Sequence, residues 1–98
     1  MRWHRNEMRT LYPAVFALNV LDRGLVVLCA VPDPKRVNVR VGDPIEFVRP
    51  NGTKFHTTVK DLDLMMGSNP GLLGLVLPAW VVKDHIPRGT FLRFVKAM

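Results

Sequence analysis

The side chains able to do chemistry are few among these 98 residues, and they are scattered. Ser68 is the only serine. It stands in Gly67-Ser68-Asn69-Pro70-Gly71, a string of turn formers and not the Gly-x-Ser-x-Gly elbow that exposes a nucleophile. Cys29, the only cysteine, lies inside the apolar run Leu25 to Val31. A thiol buried there is a small hydrophobe, and burial raises its pKa out of the reactive range. His4, His56 and His85 lack the short spacings that bring metal ligands together. Asp61 and Asp63 would share one face of a strand. Paired carboxylates do acid–base work only when burial or proximity splits their pKa values, and with Lys60 beside them they read as a solvated strand end. The sequence therefore predicts no catalytic residue, no metal and no cofactor.

Binding chemistry is better represented. Fourteen Lys and Arg face eight Asp and Glu, a net charge of +6 and a pI near 10.3, a balance that favours polyanions. Arg2, Arg5 and Arg9 against Glu7 make residues 1–10 a basic tail. In the middle of the chain Arg36, Arg40, Arg49, Lys54 and Lys60 fall on strands or turns and are the candidate nucleic-acid contacts, because cationic side chains on a curved β surface can reach phosphates. Arg40 alternates away from Val37, Val39 and Val41, while Arg49 and Lys54 flank Asn51-Gly52.

Base stacking also needs exposed aromatic rings. Phe55 is expected to face inward. Trp80, in Pro78-Ala79-Trp80-Val81-Val82, is either exposed or plugs a barrel end, the plug being the favoured reading. Exposed together, Trp80, Val81 and Val82 would instead make the apolar segment Leu72–Val82 a docking surface for a protein partner.

These residues need elements to hold them, and the pattern is β throughout. Eight prolines and seven glycines interrupt the chain at short intervals, leaving no room for a long helix. Strands are expected over 14–21, with Phe16, Leu18 and Val20 on one face, and over 25–31, 37–41, 45–49, 54–64, 72–77 and 90–96. Asn51-Gly52 predicts a tight hairpin whose two turn residues tolerate positive φ. Short strands at this spacing predict an all-β domain over residues 11–98, a small closed or partly open barrel of six to seven strands, since closure removes exposed edges.

The apolar stretch after the basic tail is broken by Pro13, Asn19 and Asp22-Arg23 and has no small-residue cleavage site, so it reads as a strand and not a signal peptide. No segment reaches the roughly 18 apolar residues of a membrane helix. A lone cysteine fits a reducing compartment, and a cytoplasmic location is expected.

Two stretches taken together carry a family resemblance. One is Asp22-Arg23-Gly24-Leu25-Val26-Val27 followed by Val39-Arg40-Val41-Gly42-Asp43-Pro44-Ile45-Glu46. The other is Gly74-Leu75-Val76-Leu77 followed by Ile86-Pro87-Arg88-Gly89-Thr90-Phe91-Leu92. Their order resembles the second, β-barrel domain of translational GTPases such as elongation factor Tu. The resemblance spans roughly residues 13–95 and implies a translation-protein barrel that contacts RNA or a ribonucleoprotein, with Ile86 plugging one end. Leu11-Tyr12-Pro13-Ala14 stands where that family carries an acidic pair near the aminoacyl end of tRNA. The phosphate loop Gly-x-x-x-x-Gly-Lys-Ser/Thr is missing from the sequence, so no nucleotide hydrolysis is expected.

Overall fold

The computed structural model describes residues 10–32, 38–63 and 71–95. Seven strands follow one another along the chain: β1 (Tyr12–Val20), β2 (Gly24–Ala30), β3 (Pro44–Val48), β4 (Lys54–Thr58), β5 (Asp61–Asp63), β6 (Leu72–Val76) and β7 (Phe91–Phe94). A 3-10 turn, η1 (Lys83–His85), precedes β7, and no α-helix occurs among the described residues. All pairings are antiparallel, and the strands form one sheet in the order β4-β3-β7-β1-β2-β6-β5.

The two ends of that order are neighbours in sequence. β4 ends at Thr58 and β5 begins at Asp61. Between them the Val59 N–H donates to the Asp43 carbonyl, continuing the β3 ladder, and the Lys60 N–H donates to the Val76 carbonyl, opening the β6 ladder. The expected long strand over 54–64 is thus bent at Val59-Lys60 and serves both edges of the sheet. β4 and β5 are not hydrogen-bonded to each other, so the chain itself bridges the gap in a partly open barrel. Its interior holds Leu25, Val27, Cys29, Ile45, Phe47, Val59, Leu75, Leu77, Val81, Ile86, Leu92 and Phe94, all buried in one apolar cluster.

Two expected strands differ from the structure. Asn38–Val41 is not a strand. Asp43 captures this segment instead: its carboxylate accepts the Arg40 N–H at 2.7 Å, and its own N–H donates to the Arg40 carbonyl. The resulting turn leaves Val41 61% exposed, and of Val39 and Val41 only Val39 packs on the core. In β1, Phe16, Leu18 and Val20 do share a face, opposite Leu28, Val26 and Gly24 of β2. It is the face turned away from the main core. There Val20 packs on a second small cluster of Val26, Leu28 and Val76, while a register shift between Ala14 and Phe16 lets Ala17 enter the interior.

The β3–β4 hairpin turns through Arg49-Pro50-Asn51-Gly52, closed by the Gly52 N–H donating to the Arg49 carbonyl. Only Gly52 takes positive φ, at 88°. The Asn51 side chain serves the turn differently from expectation, its Oδ1 accepting from the Thr53 N–H and hydroxyl. Such a turn followed by a left-handed glycine is the common alternative to a two-residue hairpin.

Candidate nucleic-acid interface

β4 alternates strictly. Phe55 is half-buried and Thr57 and Val59 are buried, while Lys54, His56, Thr58 and Lys60 are exposed. Lys54, at the start of β4, and Lys60, at the bend beyond its end, are both exposed.

At the Lys54 end the hairpin carries Arg49 into an aromatic cluster. The guanidinium carbon lies 5.3 Å from the centre of the Phe55 ring, within range of a cation–π contact. Arg49 Nε donates to the His85 carbonyl at 2.9 Å, and Nη1 donates to the Thr53 hydroxyl. His85 stacks on Phe55 with centroids 4.7 Å apart, and Trp80 meets both rings edge-on at 5.6 and 6.2 Å. The His85 Nδ1 accepts the Val82 N–H at 3.0 Å, which orients the imidazole and leaves its proton on Nε2.

Trp80 is not the plug. It is 59% exposed and lies against the outer edge of the Phe55–His85 stack. The interior position is filled by Val81, 4% exposed, and by Ile86. A tight turn explains the exchange: the Val81 N–H donates to the Pro78 carbonyl, so Trp80 rides on the outside of the bend while Val81 points in. The expected trio of exposed apolar residues is thus reduced to Trp80 and Val82. The rest of Leu72–Val82 offers no apolar face either, because Leu73 to Leu77 are buried within β6 and the connection after it.

Arg40 and Lys60 sit at the other end of β4. The Gly42 N–H donates to the Val59 carbonyl, which sets the Arg40 turn beside the bend, and both side chains are exposed. The five expected basic residues therefore divide: Arg49 lies in the aromatic cluster, Lys54 is exposed on the other face of β4 near Glu46, Arg40 and Lys60 lie beyond the far end, and Arg36 lies outside the described residues. Ser68, His4 and most of the basic tail also lie outside them.

The face between these ends holds an ion cluster not foreseen from sequence. Glu46, 6% exposed, accepts a 2.7 Å hydrogen bond from His56 Nε2 on one side and another of 2.7 Å from Arg93 Nε on the other. Burial pushes the Glu46 carboxyl up. The hydrogen bonds from His56 and Arg93, with the charges of Arg93 and Lys54, outweigh it and hold the carboxyl below its ordinary range. The Glu46–His56 pairing follows from the hairpin register, so the alternation of β3 and β4 carried that signal. Arg93 arrives from β7, and nothing local announced it.

Asp61 and Asp63 are brought together, but around a cation. Arg23 Nη2 lies 3.7 Å from Asp61 and its Nε 3.7 Å from Asp63. Burial pushes the Cys29 thiol up to about 12, where it does not ionise at neutral pH. Among the described residues no group of three His, Cys, Asp or Glu could hold a metal ion, and no helix is long and apolar enough to cross a membrane. No family model matches this sequence, and comparison with curated proteins and with solved structures finds no similar chain.

Proposed function

We propose that this barrel is a non-catalytic binding module for RNA or a ribonucleoprotein, acting as the β-barrel domain of a translation factor does. The observation that carries the reading is the exposed Trp80 packed edge-on against Phe55, whose ring also meets the Arg49 guanidinium. An indole backed by Phe55 and His85 is a rigid surface on which an unpaired base can stack. Arg49, over the same ring, offers a cation to phosphate, and the exposed Lys54, Lys60 and Arg40 add further cationic side chains around β4. Glu46 adds little repulsion, because Arg93 pairs with it and His56 hydrogen-bonds it. The order and spacing of the translation-barrel segments and the net charge of +6 support the same reading.

Titration of Trp fluorescence with a structured RNA carrying single-stranded loops, at low and moderate salt, tests it. Binding should quench Trp80, weaken several-fold with salt, and weaken further in the Arg40→Ala, Arg49→Ala double variant. Failure to bind at low salt would overturn the proposal. Trp80 and Val82, both exposed, favour a protein partner as the second reading. Binding to such a partner would be nearly indifferent to salt.

A further inference from the structure

β1 is paired on both sides over only part of its length. Its partner β7 meets it at Tyr12 and Pro13, and the last bond between them runs from the Ala14 N–H to the Thr90 carbonyl. Its partner β2 follows it from Ala14 to Val20. From Val15 onward, no strand among the described residues lies beside the edge away from β2.

The register tells which groups face that edge. The Leu25 carbonyl accepts the Leu77 N–H, so Leu25 turns its backbone groups toward β6. In an antiparallel pair the residue opposite must then turn its own groups away. That residue is Asn19, and Ala17, opposite Val27, follows the same alternation. Ala17 and Asn19 thus present N–H and C=O groups at strand spacing to the open side.

The segment leading to β7 runs past this edge without joining it. Between them is a cleft of about 170 Å³ lined by Ala14, Val15, Phe16, Lys83, Ile86 and Arg88 among others. Val15 and Phe16 are 58% and 57% exposed. The charged side chains lining the cleft are both cationic, since Asp84 of η1 does not line it.

We infer that the open edge of β1 takes an extended acidic peptide as an added strand, its main chain bonded to Ala17 and Asn19 and its carboxylates held by Lys83 and Arg88. Strand addition draws affinity from main-chain hydrogen bonds and selectivity from the side chains that flank them. The charge argues against a second copy of this chain, which carries +6 and would set its own Lys83 and Arg88 against their counterparts. The cleft is lined from β1 and the segment Lys83–Arg88 and does not include Trp80.

The test uses a short fluorescein-labelled peptide of alternating valine and glutamate, and the same peptide N-methylated at alternate residues. The unmodified peptide should bind and should protect the Ala17 and Asn19 amides from hydrogen exchange. Binding should fall roughly tenfold in the Lys83→Glu, Arg88→Glu double variant, whose fold circular dichroism verifies, and stay unchanged in Trp80→Ala. No binding, or binding that survives N-methylation, would overturn the inference. So would protection of the same amides that grows with protein concentration alone, since the occupant would then be a second copy.

Discussion

The imidazole of His85 lies flat on the ring of Phe55, the planes 11° from parallel. This contact joins the segment before β7 to the middle of the β3–β4 hairpin, and Arg49 clamps it by bonding the His85 carbonyl while lying over the opposite partner's ring. Trp80 is held at the edge of this stack and is not buried by it.

Trp80 and Phe55 should therefore separate binding from stability. Trp80→Ala should weaken RNA binding by about 1–3 kcal/mol, the contribution of base–aromatic stacking. Its cost to folding should stay near 1 kcal/mol, that of one edge-on aromatic contact. Phe55→Ala removes the ring beneath and should cost about 3 kcal/mol of stability. Urea denaturation beside RNA titration distinguishes the two; equal destabilisation would make Trp80 a structural residue.

Glu46 should give the fold an acid-sensitive limb. Its carboxyl is lowered in the folded state relative to the unfolded chain, so the folded protein binds fewer protons. That contribution is complete above the unfolded value, about 4.3, and is lost as pH falls through the lower folded value. Denaturation curves across this range should steepen below pH ~4.3 for the native chain, and Glu46→Gln should flatten them. An unchanged acid limb would mean that His56 and Arg93 do not hold the carboxylate.

Cys29 should be inert while the chain is folded. It is buried at 0% exposure and its thiol is pushed up to about 12. Iodoacetamide at mildly alkaline pH should label it only after denaturant is added. Rapid labelling of the native protein would show that β2 opens readily.

Two glycines should fail for different reasons. At Gly74 an added Cβ would stand 2.7 Å from the Asp63 carbonyl oxygen, which is backbone and cannot swing aside. Gly74→Ala should cost about 2–3 kcal/mol and loosen β5 from β6. At Gly52 nothing stands within 4 Å, but φ is 88°. Gly52→Ala should cost only the left-handed strain, about 1–2 kcal/mol. Matched urea curves would show the order, and a reversed order would remove the close approach of β5 to β6.

Much of this protein was written locally. Turn formers at short intervals and apolar runs between them determine the strands β2, β3, β4, β6 and β7, because turn geometry and side-chain alternation depend only on neighbouring residues. The same alternation turned Lys54 and Lys60 outward, and the continuous apolar run of β2 turned Cys29 inward. The structure decided which of several local alternatives forms and which distant residues meet. Asp43 captured the Arg40 N–H and dissolved an expected strand. The bend at Val59-Lys60 let one segment serve both sheet edges. The turn from Pro78 put Val81 inside and Trp80 outside. An apolar residue has the same pattern whether it plugs a barrel or caps it, and a basic residue the same charge whether it pairs with Glu46 or faces solvent. Only the packing of β4, β7 and the segment between them brought Arg49, Phe55, Trp80 and His85 into one cluster.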